Sequence, residues 1–391
     1  MSRRKICIVT ATRAEYGLLS ALLAELRANP YVELQLVVTG AHLSPKFGMT
    51  VQYIEEDGVP IAARVPVSID DDSAIGVNEA LAATAVGLGR AFRELRPDML
   101  VLLGDRYEML AAAQAAMIAR IPIAHIHGGE ATEGLIDEAI RHAITKMSHL
   151  HFVAADPFRR RVIQLGEAPE RVWTVGATGL DNIAKMTLIE RAKLEVDLGI
   201  KLHSPSFLVT HHPVTLQAGD PGVAMRTLLE VLDSYGGSIV ITGVNADSGN
   251  EALRKEVHRF AASRPDKVLA VESLGTRRYL STVAAVDVVV GNSSSGLIEA
   301  PSLGTPTVDI GDRQRGRLYA PSVIHCEEKA EAISSAIQKA LSEDHLAIAR
   351  QLCTPYGEAG AGHRIASIVS RYPIDGLLFK RFHDLTGFEC H

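Results

Sequence analysis

The chain has 391 residues, with 40 Lys and Arg against 46 Asp and Glu, so its formal net charge is −6. This mildly acidic balance argues against a nucleic-acid or general polyanion binder. The apolar runs are far shorter than the ~20 residues of a membrane helix, and no secretory signal opens the sequence. The four cysteines lie far apart, without zinc-ligand spacing or a disulfide framework. We therefore expect a soluble, cytoplasmic protein.

Short aliphatic or β-branched segments alternate along the chain with longer Ala- and Leu-rich stretches of helical period. The predicted strands are 6–10, 34–38, 99–103, 121–126, 151–154, 172–175, 207–210, 238–242, 268–271, 286–290 and 307–310. Strands that are apolar nearly throughout, each followed by a helix, indicate parallel sheets covered on both faces. The sequence thus predicts an α/β protein built from doubly wound sheets.

Two sheets fit these elements better than one sheet of eleven or more strands. The expected seam is the polar, helix-rich stretch 181–205. We predict an N-terminal Rossmann-like domain over residues 1–180 and a C-terminal one over residues 181–370. The remaining segment, 371–391, carries three phenylalanines, so we expect it to pack rather than extend into solvent.

Ligands of doubly wound sheets bind at the carboxyl ends of the strands, so the residues that follow each strand are the first candidates. After strand 6–10, a predicted helix start with Arg13 beside it suits an anion such as phosphate, although a surface arginine would look the same. Asp105 and Arg106 follow strand 99–103. Asp105 either faces the ligand crevice or caps the next helix.

The densest group of chemically competent side chains follows strand 121–126. It includes His125, His127, Glu130 and Asp137, and Asp105 should lie on the neighbouring strand. Such a cluster is suited to general acid/base catalysis. A metal site is the rival interpretation, because metals also bind imidazoles and carboxylates, but the helical His-Glu-x-x-His spacing is missing. Each histidine taken alone could equally be a hydrogen-bonded core residue.

Polar side chains also stand at strand ends in the second half of the chain. Residues 291–299 combine small residues, hydroxyls and the N–H groups of a helix start, which suit a diphosphate. Glu299, about one turn later in the same predicted helix, could accept hydrogen bonds from ribose hydroxyls. The plain alternative is a Ser-rich helix cap. The candidate binding residues of this half are His212, Asn245, Ser293, Ser294, Glu299 and Arg313.

These motifs occur in a fixed order at 12–17, 104–108, 125–130, 141–146, 245–247, 291–299 and 311–314. With them the chain resembles, over nearly its whole length, the hydrolysing UDP-N-acetylglucosamine 2-epimerases of bacterial sialic-acid and related nonulosonic-acid biosynthesis. The resemblance implies two Rossmann-like domains facing a cleft, as in GT-B glycosyltransferases. It also implies that residues 371–391 pack back on the N-terminal domain, and that UDP binds mainly to the C-terminal domain.

The resemblance further implies a reaction in which UDP is eliminated to give a 2-acetamidoglucal, which water converts to N-acetylmannosamine. By family position, Asp105 and Asp137 are the first acid/base candidates. Animal and non-hydrolysing members have a glutamate at the position of His127, so either His127 or Glu130 is the second acid/base group. The implied UDP-binding residues are His212, Asn245, Ser293, Ser294, Glu299 and Arg313, joined by Arg13 and Arg106. His212 is also a catalytic candidate.

No metal or redox cofactor is implied, and we expect a homodimer or homotetramer that binds a UDP-sugar. UDP-N-acetylglucosamine is the expected substrate. Two close alternatives are the same reaction on UDP-2,4-diacetamido-2,4,6-trideoxy-glucose, a legionaminic-acid precursor, and reversible epimerisation without hydrolysis. Two further alternatives are a glycosyltransferase of the same fold and a catalytically silent UDP-sugar-binding protein.

Overall fold

The computed structural model describes residues 3–133, 135–212, 221–243 and 250–385, and these residues form two compact units. The first unit comprises Met1–Glu130, Ile136–Asn182 and Gly357–His391, and the second comprises Ala131–Leu135 and Ile183–Tyr356. Each unit is built on one parallel sheet with helices packed on both faces. The predicted α/β class with two doubly wound sheets is therefore confirmed.

The first unit contains a seven-stranded sheet in the order β3-β2-β1-β4-β5-β6-β7. Its elements are β1 (Arg4–Thr10), α1 (Arg13–Ala28), β2 (Val32–Thr39), α2 (Val51–Glu56), β3 (Ile61–Val65), α3 (Ala74–Leu95), β4 (Met99–Leu103), α4 (Tyr107–Ile118), β5 (Ile123–Ile126), α5 (Asp137–Met147), β6 (Leu150–Val153), α6 (Asp156–Gln164) and β7 (Val172–Thr174). The strand order reverses between β1 and β4. That switch point is where doubly wound sheets bind ligands.

The second unit contains a six-stranded parallel sheet in the order β10-β9-β8-β11-β12-β13, which reverses between β8 and β11. The chain passes into this unit within α7 (Gly179–Lys185). The elements that follow are α8 (Arg191–Leu198), β8 (Phe207–Thr210), α9 (Pro221–Asp233), β9 (Ile239–Thr242), α10 (Asn250–Ala262), β10 (Val268–Val271), α11 (Gly275–Ala285), β11 (Val288–Gly291), α12 (Ser294–Ser302), β12 (Thr307–Ile310), β13 (Val323–Cys326), α13 (Ala330–Ala340) and α14 (Glu343–Ala349). None of the helices in the described parts of the chain is both long and apolar enough to cross a membrane.

Two of these strands, β3 and β13, are missing from the sequence-based prediction. Both lie at the edge of their sheets, and both leave several side chains at least partly exposed. Arg64 in β3 and His325 in β13 interrupt the apolar residues, so neither strand has the continuous apolar run that marks a strand buried on both faces.

The last helix, α15 (Ala361–Arg371), packs in the first unit against α1. The buried Asp181 carboxylate accepts hydrogen bonds from the backbone N–H groups of Gly360, Ala361 and Gly362, the last two at 3.0 and 2.6 Å. A carboxylate at this position satisfies N–H groups that a helix start otherwise leaves unpaired. The predicted boundary at 371 thus falls at the end of α15, whereas the helix itself belongs to the first unit.

The segment after α15 is fixed to the first unit by a buried ionic cluster. The Lys380 ammonium lies 2.8 Å from the Glu167 carboxylate and donates to the carbonyl oxygens of Lys146 and Ser148, both at 2.7 Å, at the end of α5. His151 and Lys146 also contact Glu167, at 3.0 and 2.6 Å. Burial alone would raise the pKa of Glu167, but these three partners outweigh it and hold that pKa at about 2.

We predict that Lys380→Met lowers the free energy of unfolding of the first unit by about 1–3 kcal/mol, because it leaves a buried carboxylate and two helix-terminal carbonyls short of a donor. The single tryptophan, Trp173, stacks on Phe152 in this unit, so its fluorescence during urea unfolding reports the change. Arg160→Met, in the same unit, is the matched control. It removes an exposed ion pair with Asp156 and should cost under about 0.5 kcal/mol. Equal unfolding midpoints for the two variants would contradict the prediction.

Candidate active site

The sheet order brings the ends of β1 and β4 together in the first unit. Arg13 is the first residue of α1, and its guanidinium lies 4.4 Å from the centre of the Tyr53 ring. The Glu15 carboxylate accepts from the N–H groups of Ala11 and Thr12, which precede the helix, at 2.8 and 3.2 Å. Burial raises the pKa of Glu15 to about 7, against the opposing positive charge of Arg106. An anion site at the first turn of α1, beside Arg13, stays a prediction.

Arg106, after β4, forms a two-point ion pair with Glu108. Its Nε and Nη2 atoms donate to the two carboxylate oxygens at 3.1 and 3.2 Å, and Nε lies 3.8 Å from Glu15. Arg106 is the residue that precedes α4, so Asp105 is not the helix cap, and that alternative is wrong. The Asp105 side chain instead contacts the Arg141 guanidinium.

The loop after β5 brings the side chains of His127 and Glu130 into contact. His127 has a left-handed backbone (φ 65°), which is uncommon outside glycine. Gly129 also has positive φ, and a Cβ atom there would lie 2.4 Å from the Phe158 carbonyl oxygen, so only glycine fits. This tight turn places His127 Nδ1 at 2.7 Å from Glu130 Oε1, with both side chains buried.

The other ring nitrogen of His127 is also engaged. The backbone N–H of Thr178 donates to His127 Nε2 at 3.4 Å, and the Thr178 hydroxyl lies 3.2 Å from the same atom. His125, two residues earlier, is fully buried between the Thr145 hydroxyl and the Gly104 carbonyl oxygen, at 3.1 and 2.8 Å. Burial lowers the pKa of His125 to about 3. His125 therefore has the environment of a core histidine.

Arg141, on α5, is the centre of this group. Its guanidinium contacts Asp105, donates to the His127 carbonyl oxygen at 3.0 Å, and lies 3.9 Å from Glu130. Burial would lower the pKa of Arg141, but the carboxylates of Asp105, Glu130, Glu138 and Asp137 raise it. The Arg141 side chain is 3% exposed and that of Asp105 is 20% exposed, so Asp105 presents the accessible edge of the pair.

Asp137 begins α5, one helical turn before Arg141, and is partly exposed. Within the described residues, no group of three or more His, Cys, Asp or Glu side chains is arranged to hold a metal ion. The structure thus brings Asp105, His127 and Glu130 together around Arg141, with Asp137 on the same helix. Sequence reasoning included Arg141 in a motif but gave it no role. Arg141 lies four residues after Asp137, and this helical spacing could have indicated that the two side chains share one face of α5.

In the second unit, Asn292 ties the ends of β8 and β11 together. Its amide accepts from the His212 backbone N–H at 2.7 Å and donates to the His212 carbonyl oxygen at 2.8 Å. Arg313 and Gln314 donate to the Asn292 carbonyl oxygen, at 3.1 and 2.7 Å. Burial, followed by the nearby charge of Arg313, lowers the pKa of His212 well below its ordinary value. Sequence reasoning missed Asn292, although it directly follows a strand-ending glycine.

The start of α12 follows at once. Ser293 caps the helix by accepting from the Ser295 N–H at 3.4 Å, Ser294 is its first residue, and Glu299 lies on its second turn. Burial, together with the charge of Glu299, raises the pKa of the adjacent Tyr279. Ser293, Ser294 and Glu299 are all partly exposed. Asn245, the remaining predicted binding residue, lies outside the described residues.

Comparisons to known proteins identify the family of this chain and agree with its fold. A family model described as UDP-N-acetylglucosamine 2-epimerase matches residues 24–370. The chain belongs to this family. A Campylobacter jejuni protein named GDP/UDP-N,N'-diacetylbacillosamine 2-epimerase (hydrolyzing) is 40% identical, over 84% of this chain and 85% of its own. Escherichia coli polysialic acid biosynthesis protein P7 is 36% identical, over 99% of this chain and 98% of its own.

A Legionella pneumophila relative, 32% identical over 97% of this chain and 98% of its own, is named UDP-N,N'-diacetylbacillosamine 2-epimerase (hydrolyzing). Among solved structures, the UDP-GlcNAc 2-epimerase of Neisseria meningitidis bound to UDP-GlcNAc has a TM-score of 0.80 and covers 93% of this chain and 99% of that one. At 18% identity this likeness shows the fold alone. This likeness supports the division of the chain into two doubly wound units.

We predict that Gly291→Ala destabilises the second unit by about 2–4 kcal/mol, because the added methyl group overpacks its surroundings and strains the backbone. Gly291 has φ 138°, and a Cβ atom there would lie 2.1 Å from the Thr210 carbonyl oxygen. The matched control, Gly236→Ala, also adds a methyl at positive φ but meets open space, so it should cost only about 1–2 kcal/mol. Urea unfolding followed by circular dichroism measures both, and equal losses would refute the steric argument.

Proposed function

We propose that the chain is a hydrolysing UDP-sugar 2-epimerase that converts UDP-N-acetylglucosamine and water into N-acetylmannosamine and UDP. The observation that carries the proposal is the partly exposed Asp105 carboxylate held by the buried Arg141 guanidinium, with Asp137 on the same helix as Arg141. Two relatives that have "hydrolyzing" in their names support the reaction type. The polysialic-acid name of a third relative supports a role in sialic-acid-type sugar synthesis.

The reaction requires two proton transfers at C2 of the sugar. A base takes the C2 proton while the C1–O bond breaks and UDP leaves with the bonding electrons, giving a 2-acetamidoglucal. Water then adds its hydroxyl to C1, and a proton enters C2 from the opposite face. We assign the two proton transfers to Asp105 and Asp137. Each positioned acid/base group typically increases the reaction rate by ~10²–10⁴-fold. His127 and Glu130 are the other candidates from the sequence, and they form a buried pair beside Arg141.

The remaining requirement is to stabilise UDP as the leaving group. Cationic side chains and helix N–H groups stabilise the charge that develops on the diphosphate. The proposed UDP-binding residues of the second unit are His212, Asn245, Ser293, Ser294, Glu299 and Arg313. Those within the described residues lie at the ends of β8, β11 and β12 or on α12. In the first unit, Arg13 and Arg106 are the proposed substrate-binding cations, and His212 also stays a catalytic candidate.

The identity of the sugar has a second candidate. Two of the relatives are named for N,N'-diacetylbacillosamine, which is a 2,4-diacetamido-2,4,6-trideoxy-glucose. That name favours UDP-2,4-diacetamido-2,4,6-trideoxy-glucose as an alternative substrate for the same chemistry. Discrimination between the two sugars depends on whether the site meets a hydroxyl or an acetamido group at C4, and a hydroxyl or a hydrogen at C6.

We expect the purified protein to release UDP and free N-acetylmannosamine in equal amounts from UDP-N-acetylglucosamine. Chromatography of nucleotides and sugars over a time course measures both, with the 2,4-diacetamido nucleotide sugar assayed in parallel. A higher kcat/KM for the latter would retain the reaction and change the substrate. Formation of UDP-N-acetylmannosamine without UDP release would indicate non-hydrolysing epimerisation. If neither nucleotide sugar reacts, the proposed function is wrong.

Asp105→Asn should lower kcat by about 10²–10⁴-fold with a smaller change in KM, because the amide cannot take up a proton but can still accept from Arg141. Asp72→Asn, at an exposed aspartate, is the matched control and should leave kcat unchanged. Thermal unfolding of both variants separates loss of activity from loss of structure. A folded Asp105→Asn protein with kcat within tenfold of the wild type would exclude Asp105 as a proton-transfer group.

A further inference from the structure

The proposed function leaves the role of His127 open. As a proton-transfer group at the sugar, His127 would need a ring nitrogen available to the substrate. The structure engages both ring nitrogens within the first unit: Nδ1 lies 2.7 Å from Glu130 Oε1, and Nε2 accepts from the Thr178 backbone N–H at 3.4 Å. The His127 side chain is 9% exposed, less than half the exposure of the Asp105 side chain.

These contacts determine the tautomer of His127. A backbone N–H can only donate, so Nε2 beside Thr178 is an acceptor and carries no proton. The proton of the neutral ring then lies on Nδ1, the atom that is 2.7 Å from Glu130 Oε1. The Thr178 hydroxyl, 3.2 Å from Nε2, can donate to the same atom. The charged and titratable groups that face His127 are Glu130, Arg141 and His125.

The contacts continue from Glu130 to the reacting edge of the site. Glu130 Oε2 lies 3.9 Å from Arg141 Nη1, and Arg141 contacts Asp105. Arg141 also donates to the His127 carbonyl oxygen at 3.0 Å, which fixes the left-handed turn at that residue. A change at either nitrogen of His127 would therefore alter the position of Glu130 and, through Arg141, that of Asp105.

We propose that His127 is a positioning residue and not a proton-transfer group: Thr178 fixes its tautomer, and the close contact of its Nδ1 atom with Glu130 Oε1 orients Glu130 and, through Glu130, the Arg141–Asp105 pair. The inference rests on the proposed function, in which Asp105 moves a proton at C2. It assigns His127 and Thr178 a role in the geometry of the site.

The test compares two amides that mimic different halves of the imidazole. In His127→Asn the side-chain NH₂ replaces Nδ1–H, and asparagine tolerates positive φ. In His127→Gln the amide reaches toward the position of Nε2 instead, so the polar contact with Glu130 Oε1 is lost. We expect His127→Asn to retain kcat within about tenfold and both limbs of the pH profile, and His127→Gln to lose about 10–100-fold. Thr178→Ser should retain kcat, and Thr178→Val should lower it by less than His127→Gln does.

Loss of 10²–10⁴-fold in a folded His127→Asn protein, together with one limb of its pH profile, would show proton transfer by His127 and overturn the proposal. Equal kcat values for the Asn and Gln variants would also contradict it. Wild-type UDP release tests the proposed function separately from these comparisons.

A spectroscopic measurement keeps the proposal testable if a variant fails to fold. In protein labelled with ¹⁵N-histidine, long-range correlations distinguish a ring protonated at Nδ1 from one protonated at Nε2. The His127 signals are those lost in whichever His127 variant folds, from among the 15 histidines. We expect the Nδ1–H tautomer at neutral pH. The Nε2–H tautomer would overturn the assignment whatever the activity.

Discussion

The polar groups at the carboxyl edge of the first sheet depend on one buried guanidinium, that of Arg141. Removing such a charge from water costs several kcal/mol unless carboxylates and carbonyl groups surround it. Asp105, Glu130 and the His127 carbonyl oxygen supply those partners. The same contacts that permit burial of Arg141 therefore fix the positions of two carboxylates and of the turn after β5. Of the side chains of Asp105, Glu130 and Arg141, that of Asp105 is the most exposed to solvent.

Contacts at both ends of α5 hold the Arg141 guanidinium in place. The strand order of the first sheet places the ends of β1, β4 and β5 side by side, and Arg141 meets the last two from α5. The opposite end of α5 is capped by the Lys380 ammonium, which is itself bound to the buried Glu167 carboxylate. A residue near the carboxyl terminus thus supports the helix that carries Asp137 and Arg141. In the second unit, Asn292 performs a comparable task by joining the ends of β8 and β11.

The buried strands and their order along the chain could be predicted from the sequence, because continuous apolar runs mark strands covered on both faces. The edge strands β3 and β13 could not, since their exposed faces break that signal. The candidate carboxylates were found because they directly follow strands. Arg141 and Thr178 received no role, because their importance comes from contacts across 36 and 51 residues of sequence, with Asp105 and His127 respectively. At the start of α1, the sequence did not indicate that Glu15 would bind the N–H groups of Ala11 and Thr12, just before Arg13.

In the proposed reaction, the C2 proton of a UDP-activated 2-acetamido sugar is exchanged and water releases the sugar. Proton NMR of the reaction in D₂O follows both events in one experiment. We expect free N-acetylmannosamine, or the corresponding 2-epimer of the diacetamido sugar, with one deuterium at C2. Free sugar of unchanged gluco configuration that retains hydrogen at C2 would show simple hydrolysis of the nucleotide sugar, and the proposed epimerisation would be wrong.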